Sequence, residues 1–418
     1  MSPIPVAVLG YGNSARTFHI PFLQSLPELY ALKIVLQRPR SEGSTSPNAT
    51  ADLPDVQVVP DIDAALAALP ENGLVIITTD NASHFPYAER ALKDKKHVLV
   101  EKPVALDEKA VDQLAELARS MGKVCTVYQN RRFDGDYLTL KSLLLNDPAS
   151  PPSALGLPTY WESRFDRFRP IAKGGWRESV DPESEGGGML WDLGAHLVDQ
   201  VVALFGPPET IFGTLRNQRG QGPPNVDDDW MAILTYPSSH PLPGDAFAPG
   251  TRLGGLRVVL GATCLSTHTD AQQPRFRVEG THGSYIKTGT DPQEGQLKLG
   301  WTPRTHPDTF GVYAEDEPAA LRLARLTTSQ VDSEEVTATK PPKLAVGEIP
   351  ILPGRYIDLY TNLGETILAA DQSASPKEAA DTIAQRLAIS LEQVSASTRV
   401  LRLIRTSAKE GRVVRFAE

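Results

Sequence analysis

Cysteine is nearly absent from this chain: Cys125 and Cys264 are the only two in 418 residues. Both sit in apolar, strand-like runs, and no CxxC or Cys/His spacing exists. That excludes a disulfide framework and a cysteine-based zinc site, and a reduced, cytoplasmic enzyme is the expectation. Long hydrophobic runs are missing too. The opening stretch Met-Ser-Pro-Ile-Pro-Val-Ala-Val-Leu-Gly is far too short to span a bilayer and has no cationic lead of the signal-peptide kind. No Lys/Arg run forms a basic tail, and 51 acidic residues against 42 basic ones give a formal charge of −9. That balance argues against nucleic acid or an anionic membrane as partner. No internal repeat is visible.

What is present is an ordinary soluble composition, 40% apolar and 22% charged, in a chain long enough for roughly two or three domains. The first third alternates short apolar runs with helical patterns. The runs are Val6–Leu9, Ala31–Leu36, Val56–Val59, Leu74–Thr79, His97–Val100 and Lys123–Tyr128. Helical patterns fill Ala15–Leu26, Ile62–Leu69, His84–Lys93 and Asp107–Met121, while the polar stretch Arg38 to Pro54 reads as a loop. Runs that are nearly all apolar rather than alternating suit strands buried on both faces of a parallel sheet. After Asn130 the pattern changes. Helices are expected at Tyr137–Leu145, Met189–Leu204, Tyr356–Ala370 and Pro376–Arg405. Strands are expected at Tyr160–Phe168, Thr210–Leu215, Trp230–Tyr236, Leu256–Leu265, Arg275–Glu279 and Ser284–Lys287. Strands clustered without intervening helices imply an antiparallel sheet. The fold class is therefore α/β: a doubly wound Rossmann domain over 1–130, followed by an α+β domain over 131–418 with a large, mostly antiparallel open sheet. Pro237–Gly250 and Asp291–Lys343 read as insertions.

Gly10-Tyr11-Gly12-Asn13-Ser14-Ala15 follows the first strand and opens a helix. In that context Gly10 permits the tight turn, Gly12 lets backbone approach a pyrophosphate, and Ala15 allows close helix–strand packing. The helix N-terminus adds free N–H groups and a positive dipole end. NAD-specific loops of this kind place an acid about 20 residues further on. Here the second strand ends Gln37-Arg38-Pro39-Arg40, with no carboxylate. A guanidinium bonds a 2′-phosphate bidentately, so NADP(H) is expected over NAD(H), with Arg38 the better candidate and Arg40 in a loop.

Three more segments carry chemistry. Val100-Glu101-Lys102-Pro103 and Tyr128-Gln129-Asn130-Arg131-Arg132 end the fifth and sixth strands, where open parallel sheets bind ligands. The second offers amide and guanidinium donors at that edge. Gly186-Gly187-Gly188 precedes a helix carrying Asp192 and His196 one turn apart, so the carboxylate can orient the imidazole. A divalent metal site there lacks a clear third ligand.

Together these segments resemble the glucose–fructose oxidoreductase / inositol dehydrogenase / rhizopine-catabolism (Gfo/Idh/MocA) family of nicotinamide-dependent oxidoreductases. The matches are GYGNSA, the Thr78-Thr79-Asp80-Asn81-Ala82-Ser83-His84 turn, EKP, YQNRRFDGD from Tyr128 and GGGMLWDLGAHLVDQ from Gly186. The runs from Phe18 to Leu23 and from Glu162 to Pro170 look like the subgroup containing NADP-dependent scyllo-inositol dehydrogenase. The resemblance implies hydride transfer between the nicotinamide and a sugar or inositol. Lys102 would bond the substrate hydroxyl, His196 would exchange its proton, and Asp192 would orient His196. Thr79, His84, Glu101, Lys102 and Asn130 lie in matched segments and join the loop residues and Arg38 as expected cofactor contacts. Asn130, Arg164, Asp166, Arg167 and Trp176 are expected in the substrate pocket with Lys102, Asp192 and His196. Family members pair through the open sheet, so a homodimer is expected. The insertions leave the substrate open. Two further readings stand beside this one: a non-catalytic NADP-binding sensor resembling the galactose-pathway repressor, and a reductase of an unsaturated or carbonyl substrate like the biliverdin-reductase relatives. Lys102, Asp192 and His196 argue against the first, and the polar set against the second.

Overall fold

Six short segments pair in one parallel sheet: β1 (Ile4–Leu9), β2 (Tyr30–Leu36), β3 (Gln57–Val59), β4 (Leu74–Ile77), β5 (His97–Val100) and β6 (Cys125–Val127). Their order is β3-β2-β1-β4-β5-β6, and every neighbouring pair is parallel. All four residues of β4 and all four of β5 are buried, as apolar runs covered on both faces must be. Chain order reverses between β1 and β4. In a doubly wound sheet, ligands bind beyond the strand ends at that switch point. This is the Rossmann arrangement read from the sequence.

The computed structural model describes residues 2–41, 44–144, 154–238, 240, 255–329, 337 and 339–418. Two units divide the chain: Met1–Asn130, Gln293–Phe310 and Arg355–Thr398 form one, and Arg131–Pro292, Gly311–Gly354 and Arg399–Glu418 the other. The N-terminal segment ends at Asn130, but the remainder does not stay in one block, because two later segments pack into the first unit. One reason is close packing at Gly122, which ends the helix Glu108–Met121 at φ +61. A Cβ there would lie 2.7 Å from Pro376 Cα.

Several helices differ from the sequence reading. Ala15–Leu26 is not one α-helix. Ala15–His19 forms a π-helical turn, with Ile20 N–H bonding Ala15 O, and the α-helix runs over Ile20–Ser25. Pro21 has no N–H for an α ladder, so the register resets before it. The Met189–Leu204 pattern likewise divides into a π turn, Leu190–Gly194, and an α-helix, Ala195–Phe205. Pro376–Arg405 becomes two helices, Pro376–Arg386 and Leu391–Glu410. The Asn362 side chain fixes that break: Nδ2 donates to Arg386 O at 2.8 Å and Oδ1 accepts from Ala388 N at 2.9 Å. The Arg38–Pro54 loop holds a short helix, Ala49–Asp52, whose Ala49 N–H bonds Gln37 Oε1 at 2.8 Å.

The second unit is built on nine strands: β7 (Pro158–Arg164), β8 (Thr210–Arg216), β9 (Asp229–Thr235), β10 (Arg257–Thr263), β11 (Pro274–Gly280), β12 (Gly283–Thr288), β13 (Leu323–Ser329), β14 (Leu344–Pro350) and β15 (Val414–Arg415). Their order is β14-β13-β12-β11-β7-β10-β9-β8-β15. Only β7 and β10 run parallel. The first expected strand stops at Arg164, and Phe168 returns only as an isolated bridge to Leu265. Trp161 on β7 meets Phe205 edge-on at 5.5 Å, which seats the helix Ala195–Phe205 on the sheet. The Asp291–Lys343 region contributes helices Gln293–Lys298 and Ala319–Arg322 and then β13, with 330–336 and 338 outside the described residues. Most of the expected 237–250 insertion (239 and 241–250) also lies outside them, as do 145 and 148–153. Among the described residues no helix is long and apolar enough to cross a membrane.

Candidate active site

Gly10 sits at φ +105, and a Cβ there would stand 3.0 Å from Thr78 Oγ1 and 3.2 Å from Thr78 O. Only glycine takes that backbone and that approach without strain. Gly12 differs: a Cβ would meet nothing within 4 Å. Gly12 and Asn13 are exposed, and no side chain caps the turn that begins at Ala15. The Arg16 N–H donates to Gly12 O at 3.2 Å, so the exposed backbone of Gly12 and Asn13 is the part of the loop open to a ligand. Ala15 is fully buried, as the packing role requires.

Glu101, one residue beyond β5, ties this loop to Lys102. Its Oε1 accepts from Ser14 Oγ and sits 3.1 Å from His19 Nε2, while Oε2 accepts from the Lys102 backbone N–H at 3.1 Å. Burial alone would raise its pKa. The His19 hydrogen bond and charge, then the Lys102 charge and Ser14, outweigh burial and pull the carboxyl down to about 2. Glu101 therefore acts within the protein framework, bonding the loop rather than facing outward as an isolated charge. Lys102 is half-buried and joined to Pro103 by a cis peptide bond.

His84 and Thr79 were both expected to touch cofactor, and His84 is placed differently. Its ring is buried, with Nδ1 2.7 Å from Pro103 O and Nε2 3.1 Å from Thr79 O. Burial pushes its pKa down, against the Pro103 bond, the Glu101 charge and the Thr79 bond. Each ring nitrogen faces a carbonyl oxygen, so whichever carries the N–H donates to backbone. His84 thus braces the Glu101–Pro103 turn from behind. Thr79 Oγ1 accepts from Ser83 Oγ at 2.6 Å.

At the end of β2, Gln37 spends its amide on Pro47 O and Ala49 N. Arg40 donates to Ser44 O and Ser46 O, each at 2.6 Å, and so shapes its own loop. Arg38 is exposed, and among the described residues it makes no hydrogen bond or ion pair. That leaves Arg38 as the guanidinium free to meet a ligand.

In the second unit the triple glycine has a steric origin. A Cβ on Gly187 would lie 2.1 Å from Val180 O, and one on Gly188, at φ +91, would lie 2.4 Å from Asp227 Oδ1. Asp227 is buried and caps the π turn: its Oδ2 accepts from Leu190 N at 2.7 Å and its Oδ1 from Arg405 at 3.0 Å. Asp192 is carried on that turn and pairs with Arg177 at 3.2 Å, while His196 is buried in the first turn of the following helix. Arg164 grips Asp166 bidentately at 2.6 and 3.0 Å, and Asp166 also accepts from Thr263 N. Trp176 is half-buried beneath the Arg177 guanidinium at 4.4 Å.

The guanidinium donors expected past the sixth strand's end are engaged within the protein, beside a buried Asn130. Arg132 binds Asp199 through two bonds of 2.7 Å, both side chains nearly inaccessible. Arg131 faces Asp134 at 3.5 Å, and buried Arg275 lies 3.2 Å from Asp136. Charges in a low-dielectric interior require such partners, so Arg131 and Arg132 organise the interior of the second unit. Sequence reasoning missed Arg177, Asp227, His19 and Tyr360. The adjacent Trp176 and the acidic run Asp227-Asp228-Asp229 were the available signals for the first two; nothing local marked Tyr360. Among the described residues no cluster of three His, Cys, Asp or Glu side chains could hold a metal ion.

Two family models match this chain: an oxidoreductase family with an NAD-binding Rossmann fold over residues 4–129, and the GFO/IDH/MocA C-terminal domain over residues 153–286. An oxidoreductase of Schizosaccharomyces pombe is 34% identical over 90% of this chain and 92% of its own length. The scyllo-inositol 2-dehydrogenase (NADP(+)) IolW of Bacillus subtilis is 30% identical over 87% of this chain and 86% of its own. The solved structure of the Bacillus subtilis oxidoreductase yvaA superposes with a TM-score of 0.77 at 26% identity, over 99% of this chain and 98% of that one.

Proposed function

Since this chain belongs to the GFO/IDH/MocA family of oxidoreductases, we propose that it moves a hydride between NADP(H) and a CH–OH carbon of a sugar or inositol. The observation that carries the reading is the Glu101 bridge: one carboxylate bonds both Ser14 of the dinucleotide loop and the backbone of Lys102. A lysine held beside a dinucleotide loop suits a hydroxyl that must lose its proton as hydride leaves. The bound nicotinamide supplies the hydride acceptor or donor. Lys102 bonds the substrate hydroxyl and favours its alkoxide character. His196 takes the hydroxyl proton on oxidation and returns it on reduction, and Asp192 orients the imidazole. Gly10, Gly12, Asn13, Ser14 and Ala15 hold the pyrophosphate, and Asn130, Arg164, Asp166 and Trp176 frame the substrate.

NADP is favoured over NAD because the position of the expected acid is taken by Gln37, whose amide is spent, beside exposed Arg38. The NADP-linked name of the Bacillus subtilis relative points the same way. Leu344 and Val346 on β14 and Ile286 on β12 are exposed; a second copy covering that apolar surface makes a homodimer. Two free, buried cysteines suit a cytoplasmic setting.

Titration of Trp fluorescence with NADPH and NADH, followed by turnover on a panel of sugars and inositols, tests the function. Tighter NADPH binding and oxidation of a polyol are expected; quenching by neither cofactor at millimolar concentration overturns it. Light scattering at twice the 45.4 kDa chain mass is expected, and a monomer removes the dimer.

A further inference from the structure

We propose that His19 and Tyr360 are positioning residues that hold Glu101 as the joint between the dinucleotide loop and the Lys102 backbone. The inference rests on the cofactor reading above and assigns its support to a helix far along the chain. His19 is fully buried in the π turn that follows the loop. Its Nε2 faces Glu101 Oε1 at 3.1 Å, and its Nδ1 faces the Tyr360 hydroxyl at 2.8 Å. An ionised carboxylate only accepts, so Nε2 carries a proton. Tyr360 is fixed in turn: its hydroxyl lies 3.0 Å from Phe18 O, its carbonyl accepts from Tyr30 at 2.6 Å, and its ring stacks on Phe22 at 5.2 Å. Tyr128 packs against the imidazole at 4.5 Å.

A glutamate side chain left unheld loses its defined rotamer. Glu101 has two oxygens and three protein donors: Ser14 and His19 on Oε1, the Lys102 N–H on Oε2. Ser14 belongs to the loop and Lys102 to the reacting side. His19 is the donor that belongs to neither, so it anchors the carboxylate while the other two take up ligands. Removing it frees both ends at once.

Titratable groups facing Glu101 are His19 from the N-terminal turn, Lys102 from its own loop, His84 from the helix Asn81–Lys93 and Tyr360 from the helix Tyr356–Ala370. With His19 gone, burial acts on the carboxyl with less opposition and the titration moves upward. The test uses the full chain with His19→Leu, His19→Gln and Tyr360→Phe. Carbon-13 NMR follows the Glu101 carboxyl in the cofactor-free protein. Hydrogen exchange follows the Lys102 amide, and NADPH binding is measured across pH. Each variant's NADPH binding is compared with wild type at the same pH, because the 2′-phosphate titrates at about pH 6 on its own. His19→Leu should show a new Glu101 titration between about pH 4.5 and 7, faster Lys102 exchange and roughly tenfold weaker NADPH binding below the step. His19→Gln, which still donates, should restore the wild-type profile. If His19→Leu does not fold, Tyr360→Phe removes one hydroxyl and should still quicken Lys102 exchange several-fold. Unchanged titration and exchange in a folded variant overturn the proposal. Failure of the wild type to bind NADPH overturns the cofactor reading instead, and the measurements on the cofactor-free protein then decide the positioning role.

Discussion

Arg177 Nε stands 3.2 Å from Asp192 Oδ1, and the same guanidinium covers the Trp176 ring at 4.4 Å. The carboxylate assigned to orient His196 is therefore held by a residue from the short turn Trp176–Glu178. The side chains of this pair are half-exposed, so it contributes at most about 1 kcal/mol to stability. Arg177→Gln should leave the melting temperature nearly unchanged. It should raise the substrate KM several-fold with NADPH affinity intact. Steady-state kinetics beside a thermal melt read both, and an unchanged KM removes Arg177 from the site.

Lys102→Met removes the only ammonium in the Glu101–Pro103 turn. Loss of roughly 10²- to 10⁴-fold in kcat is expected, with NADPH binding within a few-fold of wild type. A variant that keeps full turnover denies Lys102 any part in proton transfer; a wild type with no turnover to lose favours a sensor.

The two loop glycines should fail in different ways. Gly10→Ala puts a methyl 3.0 Å from Thr78 Oγ1 at φ +105, so a destabilisation of about 1–3 kcal/mol is expected. The Cβ of Gly12→Val meets no protein atom within 4 Å, and the variant should melt like wild type while losing NADPH binding. Calorimetry and fluorescence titration separate the two, and a Gly12→Val protein with normal affinity contradicts the assigned phosphate path.

Arg38→Asp should move preference from NADPH toward NADH by roughly 10- to 100-fold, as expected for a lost charge-assisted bond and a restored ribose acceptor. Equal affinities before and after the substitution place the 2′-phosphate elsewhere.

Glu101 also shapes acid stability. Its folded pKa of about 2 lies below the ordinary 4.5, so its contribution is fully present above about pH 5 and is lost as pH falls toward 2. The stability gap between wild type and Glu101→Gln should therefore narrow as pH drops through that window. Denaturant melts at several pH values check the sign, and a gap that widens on acidification refutes it.

Much of this was readable along the chain. Strands β4 and β5 announce themselves because every residue in them but His97 is apolar, and the Gly10–Ala15 loop because its turn chemistry is local. The broken helices were not readable. Asn362 splits the C-terminal helical pattern from 24 residues away, and no periodicity records a cap supplied by another helix. Arg131 and Arg132 looked like ligand donors because their partners, Asp134 aside, lie far off; Asp199 is 67 residues on. His84 looked like a cofactor contact because a motif names a residue and not the direction its ring faces.

The aromatic cluster around His19 sets a timetable for biosynthesis. Tyr30 leaves the ribosome 330 residues before Tyr360, whose carbonyl it bonds, a wait of roughly 15 to 65 s at cellular elongation rates of about 5–20 residues per second. Throughout that interval the nascent N-terminal sheet carries Phe22 and Tyr30 without their final cover. Such a surface invites chaperones and aggregation in equal measure. A fragment ending at residue 130 inherits the same bare patch permanently, so expression of the dinucleotide domain alone calls for the helix Tyr356–Ala370 to be supplied with it.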